Sequence, residues 1–318
     1  MATNRLLVTG ATGFVGSWTL RHWRKAHPEV EVWAASDQSL CLDELADEFS
    51  VFDLCDGKAV RDFINKCNPT HVIHLAGLVT KASLTEHLTV NVLGTENLYK
   101  ALSELDRSIE IPIIQAGTAA IYGQILPEEL PINENNPLRP LTAYAISKIT
   151  QEYLAGMFWR TRGLNIIQAR IFNLVGPGQP TCLIPATFIK QLKIMCDGES
   201  LQMGNLATRR DFVDVRDVVL AFDKLLAGGQ PGKAYNIGSG SSIAIRDILN
   251  NLFIISGLQN ISIKQELARM RKNDVPDVVA DVSAITKAVG WQPQISLLKS
   301  LKDMWKEHST NYTNGNSS

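Results

Sequence analysis

Tyr144 and Lys148 are the two residues of this sequence whose types and spacing most directly suggest chemistry. In a helix, residues four positions apart lie on one face, so the phenol and the ammonium would be neighbours. A tyrosine has a pKa of about 10, and a nearby cation lowers that pKa toward the range useful for proton transfer. The alternative is an exposed helical face on which the two side chains simply stack. The elements around the pair must decide between these interpretations.

A glycine-rich turn near the N-terminus would position a dinucleotide beside this pair. Residues 5–9 are rich in strand-forming types and lead into the sequence GATGFVG at 10–16, after which the chain is compatible with a helix. Glycines permit a tight turn and bring backbone close to a pyrophosphate, which binds at the N-terminus of the following helix. A purely structural turn is the alternative. The cofactor contacts predicted in this turn are Gly10, Thr12, Gly13, Phe14, Val15 and Gly16.

Strands and helices alternate along the first half of the chain. This alternation is typical of an α/β fold with a Rossmann-type, doubly wound parallel sheet. Apolar, β-branched runs predict further strands at 30–35, 50–54, 70–77, 111–116 and 165–171. The segments between them predict helices at 57–67, 84–105 and 142–161.

The composition changes after the sixth predicted strand, which suggests a second unit. We expect a smaller C-terminal α/β domain that binds the substrate. The predicted boundaries are 1–173 for the dinucleotide-binding domain, 174–308 mainly for the substrate domain, with 212–240 as candidates to return to the first, and 309–318 for a polar tail.

Two strand ends carry side chains suited to ligand contacts. Asp37 follows the second predicted strand, where an acid would bond the adenosine ribose and repel a 2′-phosphate, which favours NAD(H) over NADP(H). A simple turn aspartate is the alternative. Thr118 follows the fifth predicted strand. Because ligands of such sheets bind outside the carboxyl ends of the strands, the Thr118 hydroxyl would face the substrate.

Two basic segments stand out in a nearly neutral protein. Arg209 and Arg210 suit a phosphate or pyrophosphate through charge-assisted hydrogen bonds, and a second group of cations lies at 269–272. The alternative for the first segment is ion pairing with Asp211 and Asp217.

Composition narrows the function classes. The chain has 318 residues, 45% hydrophobic and 20% charged, and a formal net charge of −1, so no overall field would attract nucleic acid or an anionic membrane. Its five cysteines are dispersed without C-x-x-C spacing, so we predict neither a disulfide framework nor a metal site. The chain begins without a signal-peptide pattern and contains no long apolar run, so we expect a cytoplasmic protein.

Taken together, these motifs resemble the extended short-chain dehydrogenase/reductases that act on nucleotide sugars. The resemblance covers nearly the whole chain and rests on TGATGFVG at 9–16, HLAG at 74–77, NVLGT at 91–95, YAISK at 144–148 and RIFNLVGPG at 170–178. The segment at 204–217 is most similar to the branch of GDP-mannose 4,6-dehydratases and GDP-4-keto-6-deoxy-D-mannose reductases.

The resemblance implies roles for individual residues. Tyr144 would be the general acid or base toward a sugar C4 oxygen, Lys148 would lower its pKa and hold the nicotinamide ribose, and Thr118 would complete the site. The implied cofactor, NAD(H) or NADP(H), would also contact Asp53, Leu54, Leu75, Ala76 and Gly77. The implied contacts of the sugar nucleotide, besides Thr118, are Asn173, Arg210 and Arg271. Members commonly form homodimers through two helices, which here correspond to 84–105 and 142–161.

Ala119 and Ala120 separate the activities of the family. Dehydratases of this family carry an acidic residue just after the catalytic Ser or Thr, and alanine performs no acid–base chemistry, so dehydration is set aside. We predict NAD(P)H-dependent reduction of the C4 keto group of a nucleotide-activated, GDP-linked sugar. Because the stretch from Thr118 to Gly123 is closer to nucleotide-sugar 4-epimerases, epimerisation is the alternative. A non-catalytic dinucleotide sensor is a third hypothesis.

Overall fold

The structure of the protein is a computed structural model, which describes residues 4–40, 42, 44–259, 261–265 and 275–313. The strands, in chain order, are β1 (Arg5–Thr9), β2 (Glu31–Ser36), β3 (Glu48–Val51), β4 (His71–His74), β5 (Ile113–Thr118), β6 (Ile166–Ile171), β7 (Asn173–Val175), β8 (Ser200–Met203), β9 (Arg209–Asp214), β10 (Ala234–Ile237), β11 (Ser242–Ala244), β12 (Ser262–Gln265) and β13 (Asp277–Val278).

The helices connect these strands. They are α1 (Phe14–Ala26), α2 (Gly57–Cys67), α3 (Leu84–Leu88), α4 (Gly94–Ser103), α5 (Ala143–Arg162), α6 (Ile184–Leu192), α7 (Val215–Gly228), α8 (Ile245–Ser256), α9 (Ser283–Val289) and α10 (Leu297–Thr313). A π-helical turn, Thr89–Leu93, joins α3 to α4. Within the residues that the structure describes, no helix combines the length and the hydropathy that a membrane span needs.

Seven strands form a central sheet in the order β10-β6-β5-β4-β1-β2-β3. All neighbouring pairs are parallel. The order from β3 to β6 reverses direction beside β1, so the carboxyl ends of β1 and β4 flank the crevice in which dinucleotides bind in such sheets. The predicted doubly wound parallel sheet is confirmed.

Helices cover both faces of this sheet. Alternate side chains of β1 show why: Leu6 packs into the cluster beneath α1, α7 and α9, whereas Leu7 packs into the opposite cluster beneath α2, α4 and α5. Both leucines are fully buried, and each such side chain contributes roughly 1.5–3 kcal/mol to folding. Continuous apolar strands therefore follow from burial on both faces.

A second, smaller layer forms around β9. This strand pairs with β7 and β13 in parallel and with β11 in antiparallel orientation. Helices α6, α8 and α10 bury a separate apolar core in this part of the chain, and β8 pairs with β12. The chain leaves the central sheet after β6 and returns to it through α7 and β10, so residues of the 212–240 segment lie on the central sheet.

Several predicted bounds differ from the observed ones. The third strand ends at Val51, so Asp53 and Leu54 follow the strand instead of lying within it. The fifth strand extends to Thr118. The last helix continues through Thr313, into the segment predicted as a polar tail, because each residue added to a formed helix gains a hydrogen bond at little cost.

Candidate active site

The turn after β1 has backbone geometry that only glycine accommodates. Gly10 has a φ of +69°, and a Cβ there would lie 2.7 Å from the backbone nitrogen of Ala76. At Gly16 a Cβ would lie 2.3 Å from the carbonyl oxygen of Gly10. Helix α1 therefore starts directly after the turn, with Gly13 as its N-cap residue. The unpaired N–H groups of its first turn form an anion site. These residues fit the pyrophosphate of a dinucleotide.

The remaining predicted residues of this turn are fixed by neighbouring segments. The Thr12 hydroxyl lies 2.6 Å from the Ser36 hydroxyl at the end of β2. The ring of Phe14, at the start of α1, faces Gly178, where a Cβ would be 3.9 Å from the ring. Val15 packs at the edge of the apolar cluster below α1. The structure thus brings the turn beside the end of β2 and the loop after β7.

Asp37 and Asp53 lie at the ends of the next two strands, and both are exposed. Asp37 follows Ser36 directly, and the two side-chain oxygens are 3.4 Å apart. One oxygen of Asp53 accepts the N–H of Cys55 at 2.8 Å, which shapes the turn before α2. Leu54 packs against Gly94, where a Cβ would meet the Leu54 side chain at 3.0 Å.

The segment after β4 carries Leu75, Ala76 and Gly77 along the crevice. The N–H of Leu75 donates to the Thr9 carbonyl at 3.1 Å, which continues the pairing of β1 with β4. A Cβ on Gly77 would lie 3.0 Å from the side-chain oxygen of Asn91. The segment therefore runs close to the π-helical turn.

Asn91 ties this segment to the helix that bears the tyrosine. Its side-chain oxygen accepts the N–H of Leu78 at 2.6 Å, and its amide donates to the Leu78 carbonyl at 3.1 Å and to the Ser147 hydroxyl at 2.9 Å. Asn91 is fully buried, so each of these bonds replaces one to water. The π-helical turn thus supports α5 at the position next to Lys148, in keeping with the frequent placement of such turns at functional sites.

The structure places Thr118, Tyr144 and Lys148 close together. Thr118 ends β5 and caps the short 3₁₀ turn at 119–121, and its hydroxyl accepts the N–H of Ala120 at 3.2 Å. Thr142 caps α5, so Tyr144 falls in the first turn of the helix and Lys148 one turn later. The Thr118 side chain lies close enough to the Tyr144 phenol to lower its pKa.

The pKa values differ from the expectation for Tyr144. We predicted that Lys148 would lower the pKa of this phenol. Burial instead raises the pKa of Tyr144 to about 12, and the hydrogen bond from Thr118 is the interaction that opposes the rise. Burial also lowers the pKa of Lys148 to about 8, against the charge of Glu152. Desolvation therefore dominates at both groups, and Tyr144 carries its proton at neutral pH.

The ammonium of Lys148 is held by the buried side-chain amide of Gln151. Its ammonium donates to the side-chain oxygen of Gln151, which lies one turn along α5. The Gln151 amide in turn donates to the Thr95 hydroxyl at 2.6 Å. Gln151 and Thr95 are both fully buried. The position of the ammonium is thus fixed by a side chain that the sequence analysis did not single out.

This chain of hydrogen bonds continues to β1 and assigns the tautomer of His74. The Thr95 hydroxyl donates to the Asn91 carbonyl at 2.7 Å, so it accepts the bond from Nε2 of His74 at 2.8 Å. His74 therefore carries its proton on Nε2, and its Nδ1 accepts from the Thr9 hydroxyl at 2.6 Å. Burial and the charge of Lys148 together lower the pKa of His74 to about 3, so the ring is neutral.

A buried ion pair lies one turn beyond Lys148. Glu152 binds the guanidinium of Arg170 from β6 through two hydrogen bonds, with the Nε contact at 3.1 Å. Burial lowers the pKa of Arg170, but the hydrogen bonds and charge of Glu152 raise it overall. Arg170 also donates to the Tyr122 hydroxyl at 2.9 Å, which donates to Asn236 at 2.6 Å. The carboxylate nearest to Lys148 is therefore neutralised by arginine.

His87 is a site residue that sequence reasoning missed. Its ring lies 5.8 Å from the ring of Tyr144, and the side chain is 2% exposed. Its Nδ1 is buried without a hydrogen-bond partner, which is uncommon for a polar atom in a folded protein. The capping box of α3, formed by Ser83 and Glu86, is the local signal that places His87 in this helix.

The predicted substrate contacts Asn173 and Arg210 lie on the second sheet. Asn173 begins β7, and its amide donates to the Asp211 carbonyl at 3.0 Å. Arg209 binds the carbonyl of Ser242 at 2.6 Å and lies 3.5 Å from Asp277. Arg210 donates to the Arg209 and Val275 carbonyls, both at 2.7 Å.

The alternative was that Asp211 and Asp217 form ion pairs with Arg209 and Arg210. It is wrong, because within the described residues both carboxylates bind backbone N–H groups instead. The Asp211 carboxylate accepts backbone N–H groups of Ser239, Gly240 and Ala280 at 2.6–3.0 Å. Asp217 accepts those of residues 294 and 295. Arg271, predicted as a second pyrophosphate contact, lies outside the described residues.

Comparison with known proteins agrees with this arrangement. A family model described as GDP-mannose 4,6 dehydratase matches residues 7–304. GDP-6-deoxy-D-mannose reductase of Pseudomonas aeruginosa is 33% identical over 307 residues, which cover 94% of this chain and 95% of that protein. A UDP-glucose 4-epimerase of Mycoplasma pneumoniae is 29% identical, over 94% of this chain and 95% of its own length.

The solved structures include a similar fold with a bound dinucleotide. The structure of RMD from Pseudomonas aeruginosa complexed with NADPH has a TM-score of 0.85 and 29% identity, covering 97% of this chain and all of that one. The match spans both the central sheet and the second layer. This chain therefore belongs to the GDP-mannose 4,6-dehydratase family, among the extended short-chain dehydrogenase/reductases that act on nucleotide sugars.

Proposed function

We propose that this protein is an NAD(P)H-dependent reductase of the C4 keto group of a GDP-linked 4-keto sugar. The observation that carries the proposal is the convergence of Thr118, Tyr144 and Lys148 beside two alanines, Ala119 and Ala120. The relative with 33% identity, a GDP-6-deoxy-D-mannose reductase, supports the same reaction class.

Each residue has a defined task in this reaction. Bound NAD(P)H supplies a hydride to the sugar C4 when the carbonyl lies against it. Tyr144 donates the proton to the C4 oxygen, and the protonated phenol is the form that reduction requires. Thr118 holds the same oxygen by a hydrogen bond, and the ammonium of Lys148 stabilises the phenolate left behind.

The alanines argue against dehydration despite the name of the family model. Eliminating water across C5 and C6 needs a base that removes the C5 proton. Ala119 and Ala120 occupy the 3₁₀ turn that follows Thr118, and neither side chain ionises. Nearby Glu152 is bound to Arg170. The site supports proton transfer at the C4 oxygen alone.

The second sheet supports the nucleotide-sugar part of the proposal. Asn173 at the start of β7 would contact the sugar nucleotide, and Arg210, with Arg271, would bind the pyrophosphate. The choice of guanine as the base of the nucleotide sugar rests on the relatives, whose names specify GDP-linked sugars. A guanidinium binds phosphate oxygens through paired hydrogen bonds, which suits this position.

A 4-epimerase is the second candidate, favoured by two observations. The sequence from Thr118 to Gly123 resembles that of nucleotide-sugar 4-epimerases, and the Mycoplasma pneumoniae epimerase is 29% identical. An epimerase would use the same three side chains, so the order of the two candidates rests on the relatives, of which the GDP-6-deoxy-D-mannose reductase is 33% identical and the epimerase 29%. We therefore place the reductase first. A dinucleotide sensor would need no such proton donor.

The cofactor preference is part of the proposal. Asp37 lies exposed directly after β2, where its carboxylate would favour the unphosphorylated ribose of NAD(H). The structure of RMD contains NADPH, so both cofactors belong in the test. Asp37→Arg should shift the preference toward NADPH.

The test supplies NADH or NADPH with a GDP-4-keto-6-deoxyhexose and follows the absorbance of the reduced nicotinamide. Stoichiometric oxidation of cofactor with formation of the deoxy sugar is expected. Interconversion of two nucleotide sugars without net change in the cofactor would establish the epimerase instead. Binding of the dinucleotide with neither reaction, across GDP-, UDP- and dTDP-linked substrates, would support the sensor.

We also propose a cytoplasmic homodimer. Helix α5 exposes Ile146, Tyr153 and Met157, which lie on one face at intervals of seven and four residues, and Leu93 is exposed in the neighbouring π-helical turn. A second copy would cover this stripe. Light scattering during size-exclusion chromatography should give twice the mass of the chain. The double variant Tyr153→Glu and Met157→Glu should elute with the mass of a monomer.

A further inference from the structure

Two histidines and an aspartate meet on the outer side of the central sheet, away from the glycine-rich turn. Nε2 of His22 lies 2.8 Å from Oδ2 of Asp223, and Nε2 of His27 lies 2.9 Å from the same oxygen. The three potential ligand atoms all lie within 4.8 Å of one another. In the described part of the chain, this is the one group of three such side chains with metal-binding geometry.

The donor set matches a transition metal of borderline softness. Neutral imidazole nitrogen and carboxylate oxygen bind Zn²⁺ at about 2.0–2.2 Å, and three protein ligands leave a fourth position for water. Ligand atoms around such an ion are about 3.3 Å apart, so each imidazole nitrogen needs to move away from the Asp223 oxygen by only about half an ångström. Imidazole-rich sites also take Cu²⁺, Ni²⁺ and Co²⁺. Side-chain exposures of 19–32% leave the group open to solvent.

The supporting elements hold the three side chains in place. His22 lies in α1, His27 is the C-terminal cap of that helix, and Asp223 lies in α7, which packs against α1. The ring centroid of the buried Trp23 lies 5.2 Å from that of His22 and 5.6 Å from that of His27. Both imidazoles therefore contact the same indole. Ligands on packed helices are more precisely placed than ligands on loops.

An outer carboxylate is also present. Oε1 of Glu29 lies 3.9 Å from Nδ1 of His27, the nitrogen that does not face Asp223. Metal-bound histidines usually donate their second N–H to such a group, which fixes the tautomer and strengthens the donor nitrogen. A separation of 3.9 Å between Glu29 and His27 also occurs in ordinary surface ion pairs. We therefore treat Glu29 as a neighbour of the proposed site and not as one of its ligands.

We propose that His22, His27 and Asp223 form a binding site for one divalent transition-metal ion, with Zn²⁺ as the best match. The ion binds Nε2 of both imidazoles, whose protons move to Nδ1 of the same rings, and it completes its coordination with water. In this state α1 and α7 are joined through three metal–ligand bonds instead of two hydrogen bonds. His22 follows Phe14 by eight residues, so the ion lies about 12 Å along the helix from the cofactor turn.

The test titrates the full-length, metal-stripped protein with ZnCl₂ by calorimetry and counts bound zinc after equilibrium dialysis by elemental analysis. Cys182 and Cys196 are exposed thiols that compete for zinc, so both are replaced by serine in every protein. One zinc per chain is expected, together with a rise of a few degrees in the thermal midpoint, because the ion binds only the folded state.

Two matched variants test the ligands. His22→Gln and His27→Gln keep a hydrogen-bond donor toward Asp223 but lack the imidazole, and each should weaken zinc binding by about tenfold or more. The Lys58→Gln control alters a side chain on α2 that is 86% exposed, and this variant should bind zinc as the parent does. Circular dichroism establishes that each variant is folded, and Asp223→Asn provides an independent ligand change if either is not.

Cobalt supplies a second readout. Co²⁺ at this site should show visible absorption bands without the near-ultraviolet charge transfer that thiolate ligands produce. The proposal is overturned if zinc does not saturate near one ion per chain, if both glutamine variants bind as tightly as the parent, or if cobalt reports thiolate ligation. The outcome is independent of the proposed reaction, since none of the readouts measures turnover.

Discussion

The two sides of the crevice differ in how their polar groups are held. On the dinucleotide side, Lys148, Gln151 and His74 are buried and bound to one another or to buried hydroxyls. On the predicted substrate side, Arg209 is exposed and Arg210 half-buried. Arg209 donates to the hydroxyl and the carbonyl of Ser242 and lies 3.5 Å from Asp277, and Arg210 donates to the carbonyl of Val275. The difference suggests that chemistry is fixed by a rigid interior and that specificity is set at a surface.

This contrast yields a division of effects. Changes on the dinucleotide side should lower turnover or stability, because buried groups lose partners that nothing replaces. Changes on the substrate side should raise the KM and spare the turnover, because water replaces the lost contacts.

The largest expected effect is that of Tyr144→Phe. Loss of the proton donor should lower kcat by about 10²–10⁴-fold, with dinucleotide affinity unchanged. Tyr153→Phe is the matched control, because Tyr153 lies on the same helix and its side chain is 66% exposed. Steady-state rates with the GDP-linked keto sugar provide the measurement. Equal rates for the two variants would remove Tyr144 from the chemistry.

Glu152→Gln tests the rigidity of the dinucleotide side. The change leaves Arg170 buried without its counter-charge, which should lower the free energy of unfolding by about 3 kcal/mol or more. Glu96→Gln removes an exposed ion pair with Lys100 and should cost about 0.5 kcal/mol or less. Urea unfolding at equilibrium measures both. Similar values for the two variants would contradict the contrast between interior and surface.

Arg210→Ala tests the substrate side. If Arg210 binds the pyrophosphate, loss of a charge-assisted hydrogen bond should raise the KM for the sugar nucleotide about tenfold or more, with kcat unchanged. Arg61→Ala removes an exposed cation of α2 and should leave both constants unchanged. A fall in kcat without a change in KM would place Arg210 in the chemistry and end the proposed division.

The smallest expected effect is a shift in pH dependence. Burial lowers the pKa of Lys148 to about 8, so the ammonium loses its proton as the pH rises through that value, and kcat/KM should fall above it. Gln151→Leu removes the acceptor that favours the charged form, and the fall should move about one unit lower. Gln151→Glu should move it higher. Unshifted profiles in both variants would separate Lys148 from this titration.

The catalytic side of the fold was largely predictable from sequence. The turn between β1 and α1 depends on local glycine chemistry, and the convergence of Thr118 with Tyr144 follows from the rule that strand ends of a parallel sheet share one edge. Alternation of buried strands and amphipathic helices is a local pattern as well. These features need no knowledge of distant contacts.

The rest depends on tertiary packing that one sequence does not reveal. The hydrogen bond between Gln151 and Thr95 joins residues 56 positions apart, and the metal-binding group joins His22 to a residue 201 positions away. The pKa of Tyr144 was predicted in the wrong direction because helical spacing reports proximity to Lys148 and says nothing of desolvation. His87 gave no signal beyond its place after a capping box.

The Asp211 carboxylate has a mechanical consequence for the crevice. It accepts backbone N–H groups from the segment after β10, which belongs to the central sheet, and from Ala280 after β13, which belongs to the second sheet. Asp211 itself lies in β9 of the second sheet, so rotating one sheet against the other would break its bonds with Ser239 and Gly240, whereas the bond with Ala280 stays within the second sheet. These charge-assisted bonds resist rotation of the two sheets, so substrate should enter by the motion of side chains and loops.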